Sequence, residues 1–152
     1  MSFTVRLAEM GITLPEATAP LANYVPFVRS GDTLFVSGQI SANADGMMLG
    51  KLGADATLEQ GIAAARQCAI SLLSQVRAAC GGDLEKLEQV VKLTGFVNST
   101  PDFLDQAKVI NGASDLFAEA LGDAGKHSRS AVSAASLPFG VMVEIEGIFR
   151  LK

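Results

Sequence analysis

Arg129, Glu144 and Glu146 are the charged residues most at odds with their surroundings. They lie in the apolar stretch Ser128 to Phe149, SRSAVSAASLPFGVMVEIEGIF. Enclosed charge is costly unless it is paired or put to use. A guanidinium is a planar fork matched to a carboxylate or phosphate. A glutamate whose pKa is raised by apolar neighbours can move a proton near neutral pH. Each of the three also has a plainer reading as a solvated strand charge. Ser37 has no base near it in sequence, so it reads as a hydrogen-bond donor beside Gly38, where a backbone or ligand can come close. Tyr24, the single tyrosine, reads as core with its hydroxyl satisfied locally. Asn111 reads as an exposed or capping helix residue, and His127, the only histidine, as a loop residue. One histidine leaves no clustered Cys/His pattern for zinc. Cys68 and Cys80 lie roughly 18 Å apart along one expected helix, too far to bridge. No metal and no cofactor is expected.

The elements that must position these residues are visible in the periodicity. Val141, Val143, Ile145 and Phe149 alternate with Met142, Glu144, Glu146 and Ile148, the period of a half-buried strand. The segment from Ser128 reads as its hairpin partner, turning at Leu137–Gly140. In that register Arg129, Ala131, Ser133, Met142, Glu144 and Glu146 share one side, with Arg129 and Glu144 roughly 13 Å apart. Upstream, Phe3–Met10 has helical spacing and Gly11 as a stop, and Pro15–Pro20 is linker-like. Tyr24–Arg29 and Thr33–Gln39 read as a hairpin around Ser30-Gly31-Asp32. A short strand fits Met47–Leu49. Thr57 and Gln60 form a capping box for a helix whose stripe runs from Leu58 to Cys80, ending at Gly81-Gly82. Glu88–Asn98 reads as a strand. Thr100 and Pro101 read as cap and first position of a second helix, with Phe103, Ala107, Ile110, Phe117 and Leu121 inward. The order ββ(β)-α-β-α-ββ predicts an α/β (α+β) fold, a single sheet with two helices packed on one face.

At 152 residues the chain fits one domain, 1–152, with 1–22 as a helix-and-linker extension. Apolar residues make up 49% and the mean hydropathy is +0.32, yet no apolar run approaches the roughly 18 residues of a membrane span. The surplus therefore points to a subunit interface rather than a membrane. A formal net charge of −4 gives no footprint for a nucleic-acid backbone. The opening MSFTVRLAEMGITLP has no long apolar region, so the cytoplasm is the default setting.

Specific segments then carry a resemblance. Asn23-Tyr24-Val25, Leu34 to Gln39, Gly95-Phe96-Val97, Ile110-Asn111, and above all Arg129-Ser130-Ala131-Val132 followed by Leu137-Pro138 and Val143 to Glu146 resemble the RidA family. That family is also called YjgF/YER057c/UK114 or endoribonuclease L-PSP, and the likeness is to its longer subgroup with an N-terminal helix. The resemblance implies a chorismate mutase-like fold with a mixed sheet, in a homotrimer with clefts between subunits. It implies hydrolysis of reactive 2-imino or enamine acids to 2-oxo acids and ammonia. Arg129 would hold the substrate carboxylate and Glu144 would orient the attacking water, with Tyr24, Ser37, Gly38 and Asn111 lining the cleft. Members with this activity usually have cysteine where this chain has Ala131. The alternatives are a non-catalytic binding or regulatory module for small carboxylates and, on the old family name, a ribonuclease.

Overall fold

The structure is a computed structural model that describes residues 1–20 and 22–152. Helix α1 spans Phe3–Glu9, and β1 (Phe27–Ser30) pairs with β2 (Thr33–Ile40) across a tight turn. A two-stranded ribbon follows, β3 (Ala42–Asn43) with β4 (Gly46–Met47). Then come α2 (Leu58–Ala79), β5 (Leu87–Asn98), α3 (Gln106–Leu121), β6 (Ser128–Ala134) and β7 (Val143–Leu151). The main sheet has the order β1-β2-β7-β5-β6 and is mixed: β5 and β6 run parallel, and the other pairs are antiparallel.

Local chemistry explains the elements. The Thr57–Gln60 capping box is present, both partners satisfying orphan N–H groups at the start of α2. Its apolar stripe packs on the sheet together with that of α3, so both long helices cover one face. The two helices approach closely at Gly112, where a Cβ would overlap the Ile62 carbonyl. The alternation in β7 holds: Val143, Ile145, Phe149 and Leu151 are buried under the helices, whereas Glu144 and Ile148 are only partly covered. Helix α1 is tied down by the Glu85 carboxylate, which accepts from Phe3 N, Thr4 N and Thr4 Oγ1 at 3.0–3.2 Å. Among the described residues, no helix is long and apolar enough to cross a membrane.

The expected β6–β7 hairpin is absent. Strand β5 lies between them, pairing with β6 on one edge and β7 on the other. Helix α3 returns the chain parallel to β5, and the loop of residues 135–142 then crosses the end of β5. That crossing is held by Asn98, whose N donates to Met142 O and whose Nδ2 donates to Val141 O, and by Lys51 Nζ donating to Ala135 O. The shared face inferred for Arg129, Glu144 and Glu146 falls with the hairpin. Leu93 pairs with both Arg129 and Gly147, which puts Arg129 on the helix side. Phe96 pairs with Glu144 and Thr94 with Glu146, which puts the glutamates on the open side.

Smaller corrections have local causes. Pro101 serves a turn instead of a helix start, with Phe103 N donating to Thr100 O, and α3 begins after Asp105. Thr100 is therefore no cap, and Ala107 is exposed because the inward stripe runs through Val109, Ile110, Ala113, Leu116 and Phe117. Strand β1 starts at Phe27, after Pro26. The strand expected at Met47–Leu49 is the β4 ribbon plus one bridge from Leu49 to Val141. Cys80 caps α2 rather than lying within it.

The open face of the sheet is apolar as well. Val28 (54% exposed), Phe35 (46%) and Val132 (44%) project from it. Exposed apolar side chains spread across one sheet face in this way call for a covering partner.

Candidate functional site

The six residues singled out by chemistry and resemblance fall into two groups on opposite faces of the sheet. The first is built where β6 meets α3. Arg129 Nη1 donates to Ser114 Oγ at 3.0 Å and Nη2 donates to Ala107 O at 3.2 Å. Asn111 is exposed one helical turn from each of these partners, because positions 107, 111 and 114 share one face of α3. Ser114 Oγ in turn lies 2.9 Å from His127 Nε2, and His127 Nδ1 lies 2.6 Å from Gly125 O. His127 is the loop residue expected, just before β6, and its ring is half-buried and packs edge-on against Phe117, with centroids 6.0 Å apart.

The second group is on the open face, across β2 and β7. Between the pairs Val36–Gly147 and Gln39–Ile145, strand β2 carries two residues, Ser37 and Gly38, against one, Glu146. This is a β-bulge, a device that bends a strand and re-aims side chains. The bulge brings Gly38 under the Glu144 carboxylate, since a Cβ at position 38 would lie 3.0 Å from Glu144 Cδ. A larger residue here would have to push the Glu144 carboxylate aside. Ser37 Oγ donates to Val25 O at 2.8 Å and Ser37 N to Pro26 O at 2.9 Å, so the serine fastens the segment before β1. Tyr24 is half exposed in that segment rather than in the core.

The electrostatics of the two groups differ. Glu144 is half-buried, and burial first, then the like charge of Glu146, push its carboxyl above the usual glutamate range. Among the described residues no salt bridge relieves it. Glu146 is exposed. Beneath Glu144, the buried Cys68 Sγ donates to Val143 O at 3.6 Å. Burial, with the Glu144 charge second, raises its thiol far out of the thiolate range, which makes it an inert packing residue. Among the described residues no group of three His, Cys, Asp or Glu is placed to hold a metal ion.

Within one chain the groups do not converge. Strands β6 and β7 flank β5, two strand spacings or about 10 Å apart, and their functional side chains leave opposite faces. Two shallow hollows of about 380 and 430 Å³ lie along α2 and the segment after α1, and neither touches these residues. Sequence reasoning missed Ser114 and assigned nothing to His127. The one available signal was the spacing of Ala107, Asn111 and Ser114 on a single helix face.

The family described as "YjgF/chorismate mutase-like, putative endoribonuclease" matches residues 4–148. Protein TCP17 of Trypanosoma cruzi is 50% identical over 147 residues, covering 95% of this chain and 91% of its own. The crystal structure of protein Atu1372 from Agrobacterium tumefaciens, described as having unknown function, superposes with a TM-score of 0.92 at 47% identity, covering 99% of this chain and 92% of that one. The YjgF gene product of E. coli superposes with a TM-score of 0.63 at 31% identity, covering 90% and 94%.

Proposed function

Because the chain belongs to the YjgF/chorismate mutase-like family, which is the RidA family, we propose that it hydrolyses small 2-imino or enamine acids to 2-oxo acids and ammonia. The observation that carries this reading is the division of the site. One sheet face presents an oriented guanidinium and the other an unrelieved, partly desolvated carboxylate. A second copy of the chain, docked on the apolar open face around Val28, Phe35 and Val132, would bring its Arg129 edge to the first copy's Glu144. We propose a homotrimer closed in this way, with three such clefts.

In each cleft Arg129 binds the substrate carboxylate through its fork, which fixes the C2 carbon toward a water. Glu144, with its raised pKa, takes the proton as the water oxygen bonds to C2. Glu144 returns that proton to the carbinolamine nitrogen, the C2–N bond breaks as the hydroxyl oxygen gives its proton to the freed Glu144 carboxylate and closes to the carbonyl, and ammonia and the 2-oxo acid leave. An enamine substrate first takes a proton at C3 and becomes the 2-imino form; that form is electrophilic at C2, so positioning and proton transfers through one carboxylate suffice. Asn111 and Tyr24 line the cleft from opposite sides, and the missing side chain at Gly38 leaves room for the Glu144 carboxylate itself.

A dehydratase that generates 2-aminoacrylate from serine supplies the test. Oxo-acid release should accelerate on adding this protein, and addition of Arg129→Ala should leave the uncatalysed rate. No acceleration with any imine, together with carboxylate binding that is lost in Arg129→Ala, would establish instead a binding module. That second reading is favoured by Ala131, a methyl group beside the anchor at the position where active members usually have cysteine. RNA cleavage has less support: a net charge of −4 offers no track for a phosphate backbone.

A further inference from the structure

We propose that Ser114 and His127 are positioning residues for Arg129, forming a directed hydrogen-bond chain that presents the guanidinium ready to bind a carboxylate. The inference rests on the reading of Arg129 as the carboxylate anchor and adds how that anchor is set.

The direction of the chain follows from which atoms can donate. Gly125 O is a carbonyl and only accepts, so the bond at 2.6 Å requires the proton on His127 Nδ1. In the neutral ring Nε2 is then an acceptor, and the Ser114 hydroxyl donates to it across 2.9 Å. With its proton committed, Ser114 Oγ turns a lone pair toward Arg129 Nη1, which donates to it at 3.0 Å. Nη2 is held separately by Ala107 O at 3.2 Å. Two of the five guanidinium N–H groups are used in orienting the fork, and three remain for a ligand. The imidazole is itself fixed by its edge-on contact with Phe117. An arginine held in this way loses little rotamer freedom on binding, whereas a free one loses it at that moment.

The titration of 2-oxobutyrate into the full-length protein, followed by calorimetry, tests the chain. Ser114→Ala and His127→Phe, the latter keeping an aromatic ring against Phe117, should each weaken binding by about 3- to 10-fold. Ser114→Thr retains the hydroxyl and should bind within about twofold of wild type, because the hydroxyl supplies the oriented hydrogen bond. Failure of threonine to restore affinity would assign the loss to side-chain volume and overturn the proposal. Wild-type affinity in Ser114→Ala, with binding lost in Arg129→Ala, would overturn the positioning role and leave the anchor standing. Undiminished affinity in Arg129→Ala, or no binding by wild type, would overturn the anchor reading itself. A ligand-free readout is independent of both. The chain has one histidine, so ¹⁵N-histidine labelling reports a single ring. The proton of the neutral ring should be on Nδ1, and a proton on Nε2 would contradict the direction of the chain.

Discussion

The two halves of the site are built in opposite ways. Around Arg129 every contact reduces freedom: Ser114, Ala107, His127 and Gly125 form consecutive hydrogen bonds between α3 and the start of β6. Around Glu144 the surroundings withhold partners, and burial and Glu146 raise its proton affinity. A binding group gains from being preorganised, and a base gains from being poised. Strand β5 between them and their opposite faces keep the two charges from pairing within one chain. Under the proposed function, the difference would put recognition at the β6 edge and chemistry on the open face.

The largest effect should come from keeping the halves apart. Phe35→Asp puts a charge into the apolar open face beside Val28 and Ile148, so light scattering should show monomers and turnover should vanish, although neither half has been altered. Next, Glu144→Gln should lower turnover by about 10²- to 10⁴-fold while carboxylate affinity stays near wild type. The same substitution has a stability signature. A folded-state pKa above the ordinary glutamate value gives a stabilising contribution that is complete below that value and is lost as pH rises through the folded pKa. Glu144→Gln removes that loss, so thermal melts of the assembled protein at pH 7 should show the variant more stable than wild type.

Arg129→Lys keeps the charge but not the fork, and should weaken 2-oxobutyrate binding by about 10- to 100-fold, with a smaller change in the turnover of bound substrate. Glu85→Gln touches neither half. Burial opposes ionisation of Glu85, but the bonds from Phe3 and Thr4 outweigh it and hold the carboxyl below its usual range. Its stabilising contribution is present above the ordinary pKa and lost as pH falls through the lowered one. The variant should cost about 1–2 kcal/mol in denaturant titrations at pH 7, with activity per folded molecule unchanged.

How much of this was legible in the sequence depended on how local the deciding contacts were. The capping box at Thr57 and Gln60, the stripe of α2 and the alternation of β7 involve neighbours within a few positions, and all are present. The partner of β6 is a non-local matter. Strand β6 runs antiparallel to β7 whether the two touch or β5 intervenes, so local patterning is the same in both cases. A loop of eight residues, 135–142, can either turn tightly or cross one strand. Pro101 illustrates a related ambiguity, since its fixed φ suits both a helix start and a turn. The Ser114–His127 contact arises only when α3 docks beside β6, and nothing within thirteen positions of sequence signals it. The family likeness identified residues of both halves but not their separation by the sheet.

That separation is the central claim, and a mixing experiment addresses it directly. Arg129→Ala and Glu144→Gln are each expected to be inactive alone. After subunit exchange, verified by mass labels, an interface that takes Arg129 from one variant and Glu144 from the other is intact. Random mixing in equal amounts should restore about a quarter of wild-type turnover, the share of interfaces so formed in a closed ring. Confirmed exchange without recovered activity would place both residues' work within a single chain and contradict the account.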